Sequence, residues 1–246
     1  MRTGVLISLL VVSLALPGTA FSAVNKQNAL KGAGDPEAAI NSPKAAVLIA
    51  PELTINRSRT AVLIMDYQNE IVGMLPENVQ GPLMDRASTI LKKAREAYLP
   101  IIYIVVRFRE GYPEISSHNK LFSSLKDSGR LREGTSGSKI HDRVAPQPED
   151  IIVTKRRVGA FSTTDLDTLL RAKNINTLIL FGISTSGVVL STIRWAADLD
   201  YSLIVVSDAC ADRDAEVVRV LMEKVFPWQA TVVTTRELLN ALEIKR

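Results

Sequence analysis

Thr177 to Ser191 reads TLILFGISTSGVVLS, and this stretch decides the fold. Leu178, Ile179, Leu180 and Phe181 form a short, unbroken apolar run, which suits a parallel strand covered on both faces rather than an alternating, half-exposed one. Gly182 ends the run. Ser184, Thr185 and Ser186 can each cap a helix start, and Gly187 allows close backbone approach, so the free N–H groups of a new helix would face an open crevice. A strand, a tight turn and a helix in that order make a place for a nucleophile or an oxyanion. The positions where a reactive side chain would stand are Val188 and Val189.

Outward from this turn, five more apolar runs read as strands: Ala61–Met65, Ile101–Val106, Ile151–Val153, Leu203–Val206 and Thr231–Val233. Helical spacing separates them, over 81–98, 165–172, from the turn to Leu199, over 215–225 and over 236–242, with Ser162–Thr164 expected to cap the second helix. Ala45–Ala50 would add a short edge strand. The alternation predicts an α/β fold, a doubly wound six-stranded parallel sheet with helices on both faces and a ligand crevice off the carboxyl ends of the strands. Arg107–Asp150 is a long polar stretch rich in Gly and Pro, expected as a functional loop.

The 246 residues suffice for one core. Thirty Lys and Arg against 26 Asp and Glu leave a small positive balance, scattered except at Lys155-Arg156-Arg157. No basic run interleaves with aromatics, so a nucleic-acid partner is not expected. Residues 1–23 have signal-peptide grammar: Arg2, an uncharged run from Gly4 to Leu16, then Pro17-Gly18 and small residues to Ala23. The run is too short to span a bilayer comfortably, so the expectation is export to the periplasm or medium without a stable membrane anchor. Residues 24–58 read as a linker or arm, and 59–246 as the catalytic-size domain. Cys210 is the only cysteine, so no intrachain disulfide forms, and it reads as a small buried hydrophobe.

Asp66 closes the first strand, Lys155 follows the third and the Gly182 turn follows the fourth, so all three should open onto one edge. There a carboxylate and an ammonium can move protons, or simply pair; Gln68 and Asn69 orient the carboxylate or form the turn. Leu63-Ile-Met-Asp66-Tyr-Gln68-Asn69, Val153-Thr154-Lys155 and Gly182-Ile-Ser-Thr-Ser-Gly187 resemble, in order and spacing, the three motifs of the isochorismatase-like cysteine hydrolase superfamily, from about Thr60 to Val233. The resemblance implies strand order 3-2-1-4-5-6, amide-type hydrolysis by an Asp–Lys–Cys triad, and frequent homo-oligomers. It carries over onto Asp66 and Lys155, while the cysteine position falls on Val188. It also implies a non-proline cis peptide at Ile183–Ser184 and an oxyanion site built from Ile183, Ser184 and Gly187.

A valine at the nucleophile position excludes thiol chemistry there. The isochorismatases that name the superfamily resemble this case: they lack the cysteine and hydrolyse a vinyl ether with the Asp as proton donor. The expected function is therefore thiol-independent hydrolysis of a small organic substrate by Asp66 and Lys155, of the vinyl-ether or amide type. Two alternatives stand beside it. One is a non-catalytic small-molecule-binding protein on the same fold. The other is a serine hydrolase using Ser186 with Lys155 as base, since Gly182-Ile-Ser184-Thr-Ser186 falls one residue short of a nucleophile elbow. A drier pocket floor at Val188 raises a carboxyl pKa and Lys155 lowers it, so the sequence leaves the balance open. Gln68, Arg107, Arg109, Tyr112 and Phe161 are the candidate substrate contacts. Trp195 has no assignment. His118 and His141 lack a ligand pattern, and neither metal nor cofactor is expected.

Overall fold

The computed structural model describes residues 53–243. The segments read as signal peptide and as the Ala45–Ala50 strand lie outside them. Six strands form one sheet, β1 Thr60–Met65, β2 Ile101–Val106, β3 Ile151–Lys155, β4 Thr177–Gly182, β5 Ser202–Val206 and β6 Thr231–Val233. Their order is β3-β2-β1-β4-β5-β6, and every pairing is parallel. Each strand sits where the apolar runs predict, to within two residues. β1 and β2 are buried along their whole length, as a central strand covered on both faces must be.

From β1 the chain builds towards β2 and β3 in one direction, then returns to build β4, β5 and β6 in the other. Right-handed crossovers put the connecting helices on opposite faces and open a crevice between the ends of β1 and β4. The helices are α1 Asn69–Val72, α2 Glu77–Glu96, α3 Lys120–Ser128, α4 Leu166–Ala172, α5 Leu190–Asp198, α6 Ala215–Val220 and α7 Thr235–Ala241. Two π-helical turns, Thr185–Val189 and Leu221–Val225, lead into α5 and follow α6.

Three local expectations change. The helix expected from Gly81 starts at Glu77, with Pro82 inside it, so helix forms on the amino side of a residue that cannot donate the next backbone hydrogen bond. The stretch 107–150 is not all loop, because α3 lies within it. Asn119 accepts the Phe122 N–H and caps its start, and Gly129 at φ 67° ends it. Asp165 is the residue before α4 and makes no side-chain cap bond, while within the expected 162–164 cap the Thr164 hydroxyl accepts the Leu166 N–H at 3.4 Å. Among the described residues no helix is long and apolar enough to cross a membrane.

Candidate active site

Asp66 sits one residue beyond the end of β1, and β1 lies between β2 and β4. Its backbone is left-handed at φ 60°, which costs a non-glycine residue about 1 kcal/mol. Its N–H donates to the Ile104 carbonyl of β2, and its own carbonyl accepts from Gln68. The chain therefore doubles back at this point and holds the carboxyl at the crevice, 4% exposed.

Lys155 ends β3, in register with Val106 of β2. Its ammonium nitrogen lies 2.8 Å from Asp66 Oδ2 and also donates to the Arg157 carbonyl at 3.1 Å. Asp66 Oδ1 is buried and has no hydrogen-bond partner among the described residues. Burial raises the Asp66 pKa above its ordinary value of 3.8, and the Lys155 charge and hydrogen bond, with a smaller contribution from the Val106 backbone N–H, only partly offset this. The direction follows from the geometry, since the carboxyl is almost wholly withdrawn from water and only one of its oxygens meets the Lys155 ammonium. The balance that the sequence leaves open falls on the side of burial.

The turn after β4 closes the other wall. Ile183–Ser184 is a cis peptide. The turn is pinned from both sides: the Ile183 N–H donates to Met65 of β1 and the Thr185 N–H to Ala211 after β5. The N–H groups of Ser186, Gly187 and Val189 also have acceptors, whereas that of Ser184 has none among the described residues. Ser184 and Val188 both line the cleft. Val188, 2% exposed, presents only methyl groups where a nucleophile would stand. The Ser186 hydroxyl donates to Asp212 at 2.7 Å, and Lys155 is engaged with Asp66 and Arg157, so the Ser186–Lys155 pair is not formed.

Together these groups line a cleft of about 740 Å³. Its apolar wall comes from Ile71, Leu75, Phe122, Leu125 and Leu131, and α3 supplies two of these. None of the five expected substrate contacts lines it. Gln68 is fully buried and spent on the backbone: its amide donates to the carbonyls of Val106 and Ser138 and accepts the Val106 N–H. Arg107 donates to the Ser138 carbonyl, and Arg109 pairs with Glu114. The Tyr112 hydroxyl donates to the Arg130 carbonyl. Phe161 packs on the Tyr201 ring at 6.0 Å, away from the cleft. Sequence reasoning missed instead Met74, Arg130, Asp212 and Arg213, which do line it.

Cys210 is buried, and burial pushes its thiol up to about 12. Among the described residues no group of three or more His, Cys, Asp and Glu could hold a metal ion.

The sequence model of the Isochorismatase domain matches residues 60–237. The chain belongs to the isochorismatase family. Ureidoacrylate amidohydrolase RutB from Agrobacterium fabrum is 30% identical over 205 residues, 73% of this chain and 90% of that protein. Among solved structures, a cysteine hydrolase from Pseudomonas syringae pv. phaseolicola superposes with a TM-score of 0.71 at 27% identity, over 77% of this chain and 95% of that one. N-carbamoylsarcosine amidase from Thermoplasma acidophilum gives a TM-score of 0.62 at 25% identity, over 76% and 99%. As an isochorismatase-family hydrolase, the chain shares with these structures the sheet order that puts Asp66, Lys155 and the 182–188 turn on one edge.

Proposed function

We propose that this isochorismatase-family protein hydrolyses a small organic substrate without a covalent thiol intermediate, with Asp66 as the group that transfers the proton. The carrying observation is the unpartnered Asp66 Oδ1 in the cleft, on a carboxyl whose pKa burial holds up. A carboxyl of raised pKa keeps its proton nearer neutrality, which a general acid requires. Lys155 fixes the other oxygen and stabilises the carboxylate once the proton has left.

For a vinyl ether, Asp66 gives its proton to the terminal alkene carbon and the π electrons become the new C–H bond. Water then adds to the oxocarbenium carbon and loses a proton, and the hemiacetal or hemiketal collapses to an alcohol and a carbonyl compound. One proton returns to Asp66. For an amide, the Asp66 carboxylate would instead take a proton from attacking water. The Ser184 N–H group would then hold the developing oxyanion.

The two versions differ in pH dependence. If Asp66 acts as acid, kcat/KM falls as pH rises through its elevated pKa; if it acts as base, kcat/KM rises over that range. A hydrolase panel of enol ethers and amides, run with Asp66→Asn as control, tests the proposal. The expected result is turnover that survives iodoacetamide and drops about 10²–10⁴-fold in the variant. Undiminished turnover in a folded Asp66→Asn protein would refute it, and tight binding with no turnover on the whole panel would favour the binding-protein reading.

We propose also that residues 1–23 direct export. Intact-mass measurement on the protein recovered from the periplasm should show the chain beginning close after Ala23. Retention of Met1 on cytosolic protein is the contrary result.

A further inference from the structure

Two arginines from distant parts of the chain meet on the cleft wall. Arg130, just beyond α3, donates to the Met74 sulfur at 2.9 Å, and Arg213, after β5, donates to the same sulfur at 2.8 Å. Both line the cleft together with Met74. The shared acceptor holds the two guanidinium nitrogens within about 6 Å of each other, where like charges repel. A thioether is a weak acceptor and carries no charge to offset them.

The surrounding acids do not neutralise both members of the pair. Glu70 pairs with Arg130 alone, 3.8 Å from its Nε, and its Oε2 is shared with the Leu131 N–H. The two Asp212 oxygens take the Ser186 N–H and hydroxyl and the Arg213 N–H. Among the described residues the Arg213 guanidinium has no carboxylate partner at all. Asp66 is engaged with Lys155. Two forked donor groups thus converge on a neutral atom beside an apolar wall that carries the exposed Leu121 as well as Phe122 and Leu125.

We propose that Arg130 and Arg213 form an anion clamp that takes the carboxylate of an otherwise apolar small substrate, the carboxylate displacing the Met74 sulfur as acceptor. The clamp rests on the reading of this cleft as the hydrolase site and adds its substrate class. A carboxylate suits the place because its two oxygens match the planar guanidinium fork, and because it would relieve the repulsion between the two cations.

The test uses matched pairs of carboxylic acids and their primary amides, such as benzoate with benzamide, hexanoate with hexanamide and cinnamate with cinnamamide, titrated calorimetrically into the wild-type protein, Arg130→Gln and Arg213→Gln. The wild type should bind at least one carboxylate more tightly than its amide, and added salt should shrink the difference. Each variant should weaken that carboxylate about tenfold to a hundredfold, the range of a charge-assisted hydrogen bond, and leave the amide unchanged. Without ligand, Arg213→Gln should melt no lower than wild type, since it removes a repelled and unpaired cation. No carboxylate preference in the wild type, an undiminished preference in the variants, or a lowered melting temperature in Arg213→Gln would each overturn the clamp. Asp66→Asn separates the two readings: a carboxylate preference retained without turnover supports the clamp independently of the chemistry. Turnover lost in Asp66→Asn, with no preference in any protein, rejects the clamp alone.

Discussion

Asp66 combines a left-handed backbone, a buried ion pair and an unpartnered oxygen in one residue. Strain and unsatisfied polarity at a single point persist where the surroundings impose them, and such points gather at sites of chemistry. Asp66 and Lys155 were legible in the sequence because a residue that ends a parallel strand faces the crevice whichever way its neighbours point. The candidates just beyond the strand ends were not. Gln68, Arg107, Arg109 and Tyr112 stand close to those ends in sequence, but their side chains turn to backbone carbonyls or to Glu114. Arg130 and Arg213 gave no local signal, since they meet only through Met74. The Val188 position yields a prediction at this scale. In Val188→Cys, the new thiol lines the cleft at the start of a helix, which lowers a thiol pKa against the burial that acts at both positions, whereas Cys210, held up at about 12 by burial, does not line the cleft. The exchange should cost on the order of 1 kcal/mol, as a small void. Mass spectrometry of the native variant should show the introduced cysteine labelled by iodoacetamide well before Cys210. An introduced thiol as inert as Cys210 would mean that the pocket floor is closed to reagents.

The turn after β4 is the element on which the site depends, and its shape traces to Gly182. A Cβ there would stand 2.9 Å from both the Met65 Cβ and the Met65 carbonyl oxygen, and 3.3 Å from a Val188 methyl. The Met65 carbonyl accepts the Ile183 N–H, so it cannot retreat without releasing the turn. Gly182→Ala should therefore destabilise the protein by about 1–3 kcal/mol, the usual cost of overpacking. It should also reduce turnover by more than that stability loss explains, because β1 and β4 separate at the point that places Asp66 against Ser184 and Val188. Denaturant melts and kcat on the same samples check this; a stable and fully active Gly182→Ala protein would show that the contact is unimportant. The glycine was legible as the end of an apolar run, but the reason for it was not, since it depends on the register of β4 with β1. Helix α3 was missed for the opposite reason. Its signals, Asn119 before and Gly129 after, lie in a stretch so polar and glycine-rich that only packing of Phe122 and Leu125 into the cleft commits it to a helix.

Across the whole molecule the sheet was the most legible feature, because six buried strands must be continuous apolar runs and helices must cover both faces. The Asp66–Lys155 pair links that buried core to pH. Both groups are nearly inaccessible, at 6% and 2% of their side-chain surface, and a buried pair of this kind seldom stabilises a fold on balance. The sign follows from the raised Asp66 pKa. Below the ordinary value of 3.8 the carboxyl is protonated in both folded and unfolded chains and contributes no pH dependence. As pH rises from there towards the folded pKa, the unfolded chain ionises while the folded one keeps its proton, so this group lowers stability with rising pH until the folded carboxyl ionises too. Lys155→Met removes the influence that holds the pKa down, which moves the end of that window to higher pH. Each further unit adds about 1.4 kcal/mol to the loss at neutral pH. Urea melts between about pH 4 and pH 8 should show Lys155→Met parallel to wild type until the wild-type folded carboxyl ionises and falling steadily behind it above that point, while Asp66→Asn combined with Lys155→Met gains on wild type below that point and stays flat relative to it above. A Lys155→Met deficit that is constant with pH would mean that the lysine stabilises by packing its stem alone, and that Asp66 does not carry the elevated pKa on which the proposed acid chemistry depends.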